Sequence, residues 1–249
     1  MAISIIDMFS IGIGPSSSHT VGPMRAGLLF TETLKSEIDI EKVKYVQIEL
    51  FGSLGHTGKG HGSDKAVILG LLGEKPEEVD PDTVQAKLDQ IAETGLLLLG
   101  GIYPVNFKAK PHLIFHRRKS LPGHPNGMKF TAYNVDEELL ISKIYYSVGG
   151  GFIVNENIND ESPVIEDNRT LPYPFTTGDE LLTLCTDSGL SISALMLANE
   201  SAWRTEAETK QYLLLIWKTM QACISKGCHT QGILPGGLKV KRRAAHIYN

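Results

Sequence analysis

One stretch near the N-terminus, Gly12 to Gly27, most constrains how this chain folds, because it passes from a Gly/Pro turn into a helix. At the change it carries a polar run, Ser16-Ser17-Ser18-His19-Thr20. Ser and Thr oxygens accept hydrogen bonds from free backbone N–H groups at a helix N-terminus, and the same terminus attracts a carboxylate or phosphate. The run is longer than a single cap requires. We therefore predict an anion-binding turn with a histidine beside it; an over-capped surface helix is the alternative.

Two stricter phosphate-binding motifs are excluded. A dinucleotide fingerprint that starts at Gly12 needs glycine at position 17, which is Ser17. The second Gly-rich stretch, 52–64, fails as a nucleotide P-loop, because Ser53 and Gly60 occupy positions where that motif needs Gly and Ser or Thr. A small carboxylate is therefore the better candidate ligand.

The stretch 52–64 is the second candidate site, predicted as a loop between a strand and a helix that Ser63 or Asp64 would cap. It contains His56, Lys59 and His61. Histidine titrates near neutrality and is the commonest general acid or base. A solvated loop without a role is the alternative, but two polar segments that each precede a helix and each carry a histidine favour function.

A third loop, 121–127, carries His124 and Asn126 in the run Pro-Gly-His-Pro-Asn-Gly. An Asn side-chain amide can donate a hydrogen bond to a substrate carboxylate. This loop is therefore a further candidate for substrate contact.

Hydrophobic patterning predicts an α+β fold with two domains. An α/β sandwich domain is expected over 1–155, a polar and acidic linker over 156–172, and the start of a helical domain over 173–249. The predicted helices are 20–37, 65–72, 81–94, 178–188, 191–202 and 206–226. The predicted strands are 43–51, 103–107, 112–116, 129–134, 139–147 and 152–154, with a hairpin across 135–138.

Metal and cofactor patterns are weak in this sequence. The three cysteines are too few for an iron–sulfur or zinc site, and two of them fall at predicted core positions of helices. They are Cys185, Cys223 and Cys228, of which the first two are the predicted core residues. His112 and His116 lie on a predicted strand, where their spacing does not bring both to one metal ion. A pyridoxal phosphate enzyme needs a Schiff-base lysine with phosphate-binding glycines, and the flanks of Lys59 do not provide that pattern.

Composition limits the partners and the compartment. A net charge of −4 gives no support for a nucleic-acid surface. No apolar run approaches the roughly 20 residues that span a bilayer, and no secretory signal is visible. An odd number of cysteines fits reduced thiols. We expect a cytoplasmic protein that binds neither nucleic acid nor membrane.

The sequence closely resembles the iron–sulfur-dependent bacterial L-serine dehydratases. The resemblance begins at Asp7-Met8-Phe9 and the run 12–24, and it continues at 58–61, 126–128, 145–152, 172–175 and 217–223. It implies a lyase of amino-acid catabolism and gluconeogenesis that eliminates water from L-serine, giving pyruvate and ammonia. It also implies a 4Fe-4S cluster, not pyridoxal phosphate, with an open iron acting as Lewis acid on the serine hydroxyl.

The resemblance further implies roles for individual residues. The substrate carboxylate would be held by the polar turn, which comprises Ser16, Ser17, Ser18, His19 and Thr20. His61 and His19 are the catalytic candidates, with His61 placed nearest proton transfer at Cα. Asn126 would orient the substrate. The sequence does not distinguish which histidine takes the proton.

None of the three cysteines matches the family's cluster ligands, which the resemblance places beyond position 249. The chain is therefore expected to be part of a longer enzyme or one subunit of a split one, inactive by itself. Its partners would be L-serine, the missing helical domain or a separate alpha subunit, and further copies in a homo-oligomer. A non-catalytic amino-acid-binding or regulatory module is the alternative function.

Overall fold

A computed structural model describes residues 4–6, 8–155, 169–234 and 239–248. The chain divides into two compact units. The helical unit comprises Met1–Ser10, Ile165–Ile233 and Lys241–Asn249, and the α/β unit comprises Ile11–Val164 and Leu234–Val240. Most of the predicted linker, 156–168, lies outside the described residues, and the predicted domain boundaries stay a prediction.

The α/β unit alternates helices and strands, as its hydrophobic patterning predicts. Its elements, in chain order, are a π-helical turn Ser17–Val21, α1 Gly22–Glu37, a 3-10 turn Ile40–Lys42, β1 Tyr45–Phe51, α2 Gly52–Thr57, a 3-10 turn Gly58–His61, α3 Ser63–Leu71, α4 Val84–Thr94, β2 Leu96–Leu99, β3 Tyr103–Asn106, α5 Ala109–His112, β4 Leu113–His116, β5 Gly127–Tyr133, β6 Leu139–Gly149 and β7 Phe152–Asn155.

The seven strands form one mixed sheet in the order β2-β3-β1-β5-β6-β7, with β4 off this path. Strand β5 pairs with one edge of β1 in antiparallel register, Ile48 lying opposite Phe130. The other edge of β1 is shared by β3, which pairs at Tyr45, and by β4, which runs parallel from Ile48 to Phe51. The predicted β5–β6 hairpin is present. Helices and a mixed sheet together confirm the predicted α+β class.

The core of this unit lies between the sheet and the helices α1 and α3. Alternate residues of β1, namely Val46, Ile48 and Leu50, are fully buried, whereas the residues between them are partly exposed. Phe30 of α1 stacks on Phe130 of β5 with ring centroids 5.3 Å apart. Each large apolar side chain buried in this way contributes about 1.5–3 kcal/mol to folding. The alternation therefore fixes which face of β1 the helices cover.

Three local predictions are wrong. The stretch after β1 is not a loop, since α2 and a 3-10 turn occupy it as far as His61. Neither Ser63 nor Asp64 caps α3, because Gly62, in a left-handed conformation, holds the N-cap position and no side-chain cap bond forms there. The helix predicted from residue 81 begins at Val84.

The helical unit contains α6 Gly178–Ser188, α7 Ile192–Glu200, α8 Glu206–His229 and α9 Ala244–Tyr248. Thr177 with Glu180, and Thr205 with Glu208, form capping boxes at the starts of α6 and α8. Each box satisfies two backbone N–H groups that a helix N-terminus leaves free. These sequence signals explain why both helices begin close to the predicted residues.

The N-terminal segment belongs to this helical unit. Ser4 Oγ and the backbone N of Ile5 donate to the carboxylate oxygens of Glu200, each at 2.7 Å. Arg204 also pairs with Glu200 and donates to Ser4 Oγ at 2.8 Å. Glu200 is buried, with 1% of its surface exposed, so these contacts replace the water that its charge loses.

The spacing of apolar residues in α8 predicts a buried face made of Tyr212, Leu215, Ile216, Met220 and Cys223, and most of this prediction is wrong. Among its described residues only Thr209 and Ile216 are buried, and Cys223 is exposed. Periodicity identifies an apolar stripe, but a stripe becomes buried only where another element packs on it.

In the described ranges no single helix is long and apolar enough to cross a membrane, although α6 and α7, bent by 95°, meet that length and composition test as a pair.

Candidate functional site

The end of β1, the first turn of α2 and the loop before β5 meet in the α/β unit. Gly52 follows the strand with φ of +56°, and a Cβ atom there would lie 2.1 Å from the carbonyl oxygen of Pro125. Its N–H donates to Lys119 O, and the N–H of Ser53 donates to Pro125 O, both at 2.8 Å. The close approach requires glycine. The loop before β5 is thereby fixed against the first turn of α2.

The polar run forms a π-helical turn that leads into α1. The carbonyl oxygen of Ser16 accepts from Thr20 N and Val21 N at 3.0 and 3.2 Å. The side chain of Ser16 accepts from His19 N at 3.3 Å, and Ser16 N donates to Thr20 Oγ1 at 3.3 Å. Within the part of the chain that the structure describes, the N–H groups of Ser17 and Ser18 have no acceptor. Two free donors at a helix N-terminus suit an anion.

Both ring nitrogens of His19 are hydrogen-bonded to hydroxyl groups. Nδ1 lies 2.9 Å from Ser18 Oγ, and Nε2 lies 3.0 Å from Ser53 Oγ in α2. Burial, followed by the nearby ring of His61, lowers the pKa of His19 below its ordinary value. His19 is therefore neutral at physiological pH, and one of its nitrogens donates while the other accepts.

His61 lies beside His19, with ring centroids 4.9 Å apart, and its side chain is exposed. Its Nδ1 is 3.1 Å from the carbonyl oxygen of Thr57, which can only accept a hydrogen bond. The Nδ1 therefore carries the proton, and in the neutral ring Nε2 holds a lone pair. Nε2 has no hydrogen-bond partner among the described residues. This is the geometry of an available base.

Two further hydrogen bonds join the histidine turns. Thr20 Oγ1 donates to His61 O at 3.0 Å, and Ser63 Oγ donates to His19 O. Thr20 and Ser63 are both buried. Thr20 in the first turn and Ser63 at the start of α3 thus tie the backbone beside each histidine to the other segment, which holds the two rings at a set separation.

Asn126 has contacts that fix its own loop. Its Nδ2 donates to Ser147 O at 3.0 Å, and its carbonyl accepts from Ser147 N at 3.0 Å. Its N–H donates to His124 Nδ1 at 3.1 Å. These bonds anchor the loop to β6. A role for Asn126 in orienting substrate stays a prediction.

The described residues do not provide a cluster site. They contain no group of three or more His, Cys, Asp or Glu side chains placed to hold a metal ion. The three cysteines are free thiols on α6 and α8. His112 stacks on Tyr45 and His116 bonds to Glu49, at 2.8 Å, so neither faces a shared metal. The residues present therefore do not fit an iron–sulfur cluster.

Sequence reasoning missed Ser53 and Ser63 as members of the site. Ser53 follows β1 directly after Gly52, and a polar residue at the carboxyl end of a central strand was a usable signal. Ser63 was predicted as a cap of the following helix, whereas its hydroxyl donates to the backbone carbonyl oxygen of His19.

Comparisons with known proteins place the chain in a family. A family model described as serine dehydratase beta chain matches residues 4–158. The chain belongs to the serine dehydratase beta chain family. The resemblance noted in the sequence is thereby confirmed, and the matched range includes both histidine turns.

Individual relatives of the family extend the comparison to the helical unit. The chain is 51% identical to the L-serine dehydratase of Streptomyces coelicolor over 99% of its length and 54% of that relative. It is 45% identical to L-serine dehydratase 1 of Escherichia coli, over 98% of this chain and 53% of the relative. With the Haemophilus influenzae L-serine dehydratase the identity is 43%, over 99% and 54%. The chain spans about half the length of these curated relatives.

Proposed function

We propose that this chain contributes the carboxylate-binding and proton-transfer part of an L-serine ammonia-lyase site. The observation that carries the proposal is one juxtaposition. The imidazole ring of His61, whose Nε2 holds a lone pair, has its centroid 4.9 Å from that of His19. His19 in turn adjoins the free N–H groups of Ser17 and Ser18. An α-amino acid carries its acidic Cα–H next to its carboxylate, so an anion site beside a base suits that substrate.

In this proposal the polar turn binds the carboxylate of L-serine. The backbone N–H groups of Ser17 and Ser18 donate to its oxygens, and the partial positive charge of the helix N-terminus adds to the attraction. Ser16 and Thr20 hold the shape of the turn through their bonds to each other. Asn126 is proposed to orient the substrate from the adjoining loop.

His61 is the proposed base. It removes the Cα proton through Nε2, and the Cα–H electron pair forms the Cα=Cβ bond. The β-hydroxyl leaves as water with a proton from solvent, to which His61 then returns the proton that it removed. The aminoacrylate then tautomerises to an imine, and water converts it to pyruvate and ammonia. His19 is less suited to proton transfer because hydroxyl groups occupy both of its ring nitrogens. Positioned proton transfer of this kind contributes about 10²–10⁴-fold to a rate.

The cofactor part of the proposal lies outside the described residues. The resemblance implies a 4Fe-4S cluster and no pyridoxal phosphate, and we propose that its ligands come from sequence corresponding to the half of the relatives that this chain does not span. That sequence would be a helical domain or a separate alpha subunit.

The test is pyruvate formation from L-serine by the product of the complete gene, purified without oxygen and reconstituted with iron and sulfide. His61→Ala is expected to lower kcat by about 100-fold or more. His56→Ala is the matched control, because His56 is an exposed histidine of the same segment. Normal turnover by His61→Ala would remove this residue from proton transfer. Saturable L-serine binding without any turnover would instead support the amino-acid-binding module.

A further inference from the structure

We infer that Ser53 is a positioning residue for substrate binding: its hydroxyl fixes the tautomer of His19, and His19 in turn makes the Ser18 hydroxyl a hydrogen-bond donor to the bound carboxylate. The inference rests on the proposed carboxylate site and adds a residue that lies outside the polar turn.

Ser53 is held rigidly by its neighbours. Its N–H donates to Pro125 O at 2.8 Å, and its carbonyl accepts from Thr57 Oγ1 at 2.9 Å. Its hydroxyl has one partner among the described residues, Nε2 of His19 at 3.0 Å. The backbone of Ser53 is therefore set by two neighbouring segments, and its side chain is directed at the imidazole.

The hydrogen bonds between His19 and the two serine hydroxyls can run in either direction. A neutral imidazole has one N–H and one lone pair, so His19 links the two hydroxyls in one of two ways. In the first, Ser53 O–H donates to Nε2, and Nδ1–H donates to Ser18 Oγ. The hydrogen of Ser18 is then available either to Ser16 Oγ, 3.5 Å away, or to a charged acceptor such as a bound carboxylate. In the second, Ser18 O–H donates to Nδ1, and Ser18 presents only lone pairs.

A bound anion favours one of these two arrangements. A carboxylate next to Ser18 is attracted by the first arrangement and repelled by the second, since two sets of lone pairs would face each other. All three hydrogen bonds of the first arrangement run toward the carboxylate, and bonds aligned in one direction strengthen each other. Without the Ser53 hydroxyl, Nε2 loses its donor and the His19 ring can adopt either tautomer.

The direct test measures the tautomer of His19 by ¹⁵N NMR of the histidine-labelled 249-residue chain, with and without saturating L-serine or acetate. The expected result is an Nδ1–H tautomer with either carboxylate bound. Ser53→Ala should give a mixture or the Nε2–H form, and Ser53→Thr, which keeps the hydroxyl, should restore Nδ1–H. An Nε2–H tautomer in the carboxylate-bound wild-type chain would overturn the inference, whether or not Ser53→Ala folds.

The kinetic test uses the reconstituted product of the complete gene. Ser53→Ala should raise the KM for L-serine about tenfold, the loss expected for one oriented hydrogen bond, with kcat within about twofold. Ser53→Thr should recover most of the KM, and Ser36→Ala, which removes an exposed serine hydroxyl of α1, should change neither value. An unchanged KM in Ser53→Ala, or a parallel fall in kcat, would contradict the inference. If the wild-type enzyme does not turn over L-serine, the proposed function fails, and the NMR result still decides the role of Ser53.

Discussion

Gly70 of α3 lies so close to Gly27 of α1 that a Cβ atom on Gly70 would be 3.0 Å from the Cα of Gly27. The same Cβ would be 2.0 Å from the carbonyl oxygen of Met24. The two helices therefore touch backbone to backbone. Because α1 follows the polar turn (16–20) and α3 follows the 3-10 turn that ends at His61, this contact helps to set the separation of the two halves of the candidate site.

Gly70→Ala is expected to destabilise the chain by about 2–3 kcal/mol, because a methyl group at a backbone contact forces the helices apart. The higher helix propensity of alanine, about 1 kcal/mol, does not offset this cost. Urea unfolding of the 249-residue chain measures the change. Gly60→Ala is the control, since nothing lies within 4 Å of a Cβ there. Equal midpoints for the two variants would contradict the close contact.

The stability of the chain should fall as the pH is lowered below about 6.5, the ordinary histidine pKa. Burial, and then a neighbouring His61 or Lys108, lowers the pKa values of His19 and His112 respectively. Between the lowered values and 6.5 the unfolded chain binds more protons than the folded chain, so the free energy of unfolding rises with pH in that window.

The measurement is urea unfolding at several pH values from about 5 to 7.5, a window that brackets the ordinary histidine pKa. His112→Gln should reduce the dependence of stability on pH, whereas Ser36→Ala, which carries no titratable group, should leave it unchanged. A steeper dependence in His112→Gln would show that the sign assigned to His112 is incorrect.

Much of the fold could be predicted because the spacing of apolar residues along a helix or strand is visible in the local sequence. The alternation along β1 identifies this strand, and the polar residues 135–138 identify the hairpin between β5 and β6. Neither identification needs tertiary information. Strand β2, Leu96–Leu99, was missed because four leucines in a row show no period and leucine has no β-branch. Its identity as a strand depends on pairing with β3, which is not visible locally.

The candidate site was predictable in its parts and not in its connections. In the sequence, the polar turn (16–20) and His61 stand out because they are polar and precede predicted helices. The bond between His19 and Ser53 joins residues 34 positions apart, so it depends on how the π-helical turn that contains His19 and α2 approach each other. The helical geometry of 52–61 was also hidden, because glycine-rich segments favour loops by propensity and tertiary contacts hold this one in helical turns.

Ser147→Ala is expected to stabilise the chain by about 1 kcal/mol. Ser147 Oγ is buried and has no hydrogen-bond partner among the described residues, so its removal eliminates an unpaired polar group. Ser142→Ala, on the same strand, is the matched comparison. It should cost about 1 kcal/mol, because Ser142 Oγ bonds to the buried hydroxyl of Thr131 at 3.2 Å. Thermal unfolding of both variants would show opposite shifts in Tm, and shifts of the same sign would contradict this account.

Glu200→Ala should destabilise the helical unit by about 3–5 kcal/mol, because it removes one partner of a buried ion pair and leaves Arg204 and Ser4 without their acceptor. Glu206→Gln, in the exposed pair with Lys210, should cost no more than about 0.5 kcal/mol. Far-ultraviolet circular dichroism during urea unfolding, read together with proteolysis near residue 204, checks the difference. Equal effects would mean that the buried carboxylate does not hold the N-terminal segment.

The attachment of residues 4–6 to Glu200 also has a consequence for the order of synthesis. Ser4 leaves the ribosome 196 residues before its acceptor is made. At about 5–20 residues per second, the interval is about 10–40 s. During that time the larger segment of the α/β unit, Ile11–Val164, emerges, while residues 4–6 have no acceptor. The larger segment of the α/β unit can therefore fold before residues 4–6 are attached to Glu200.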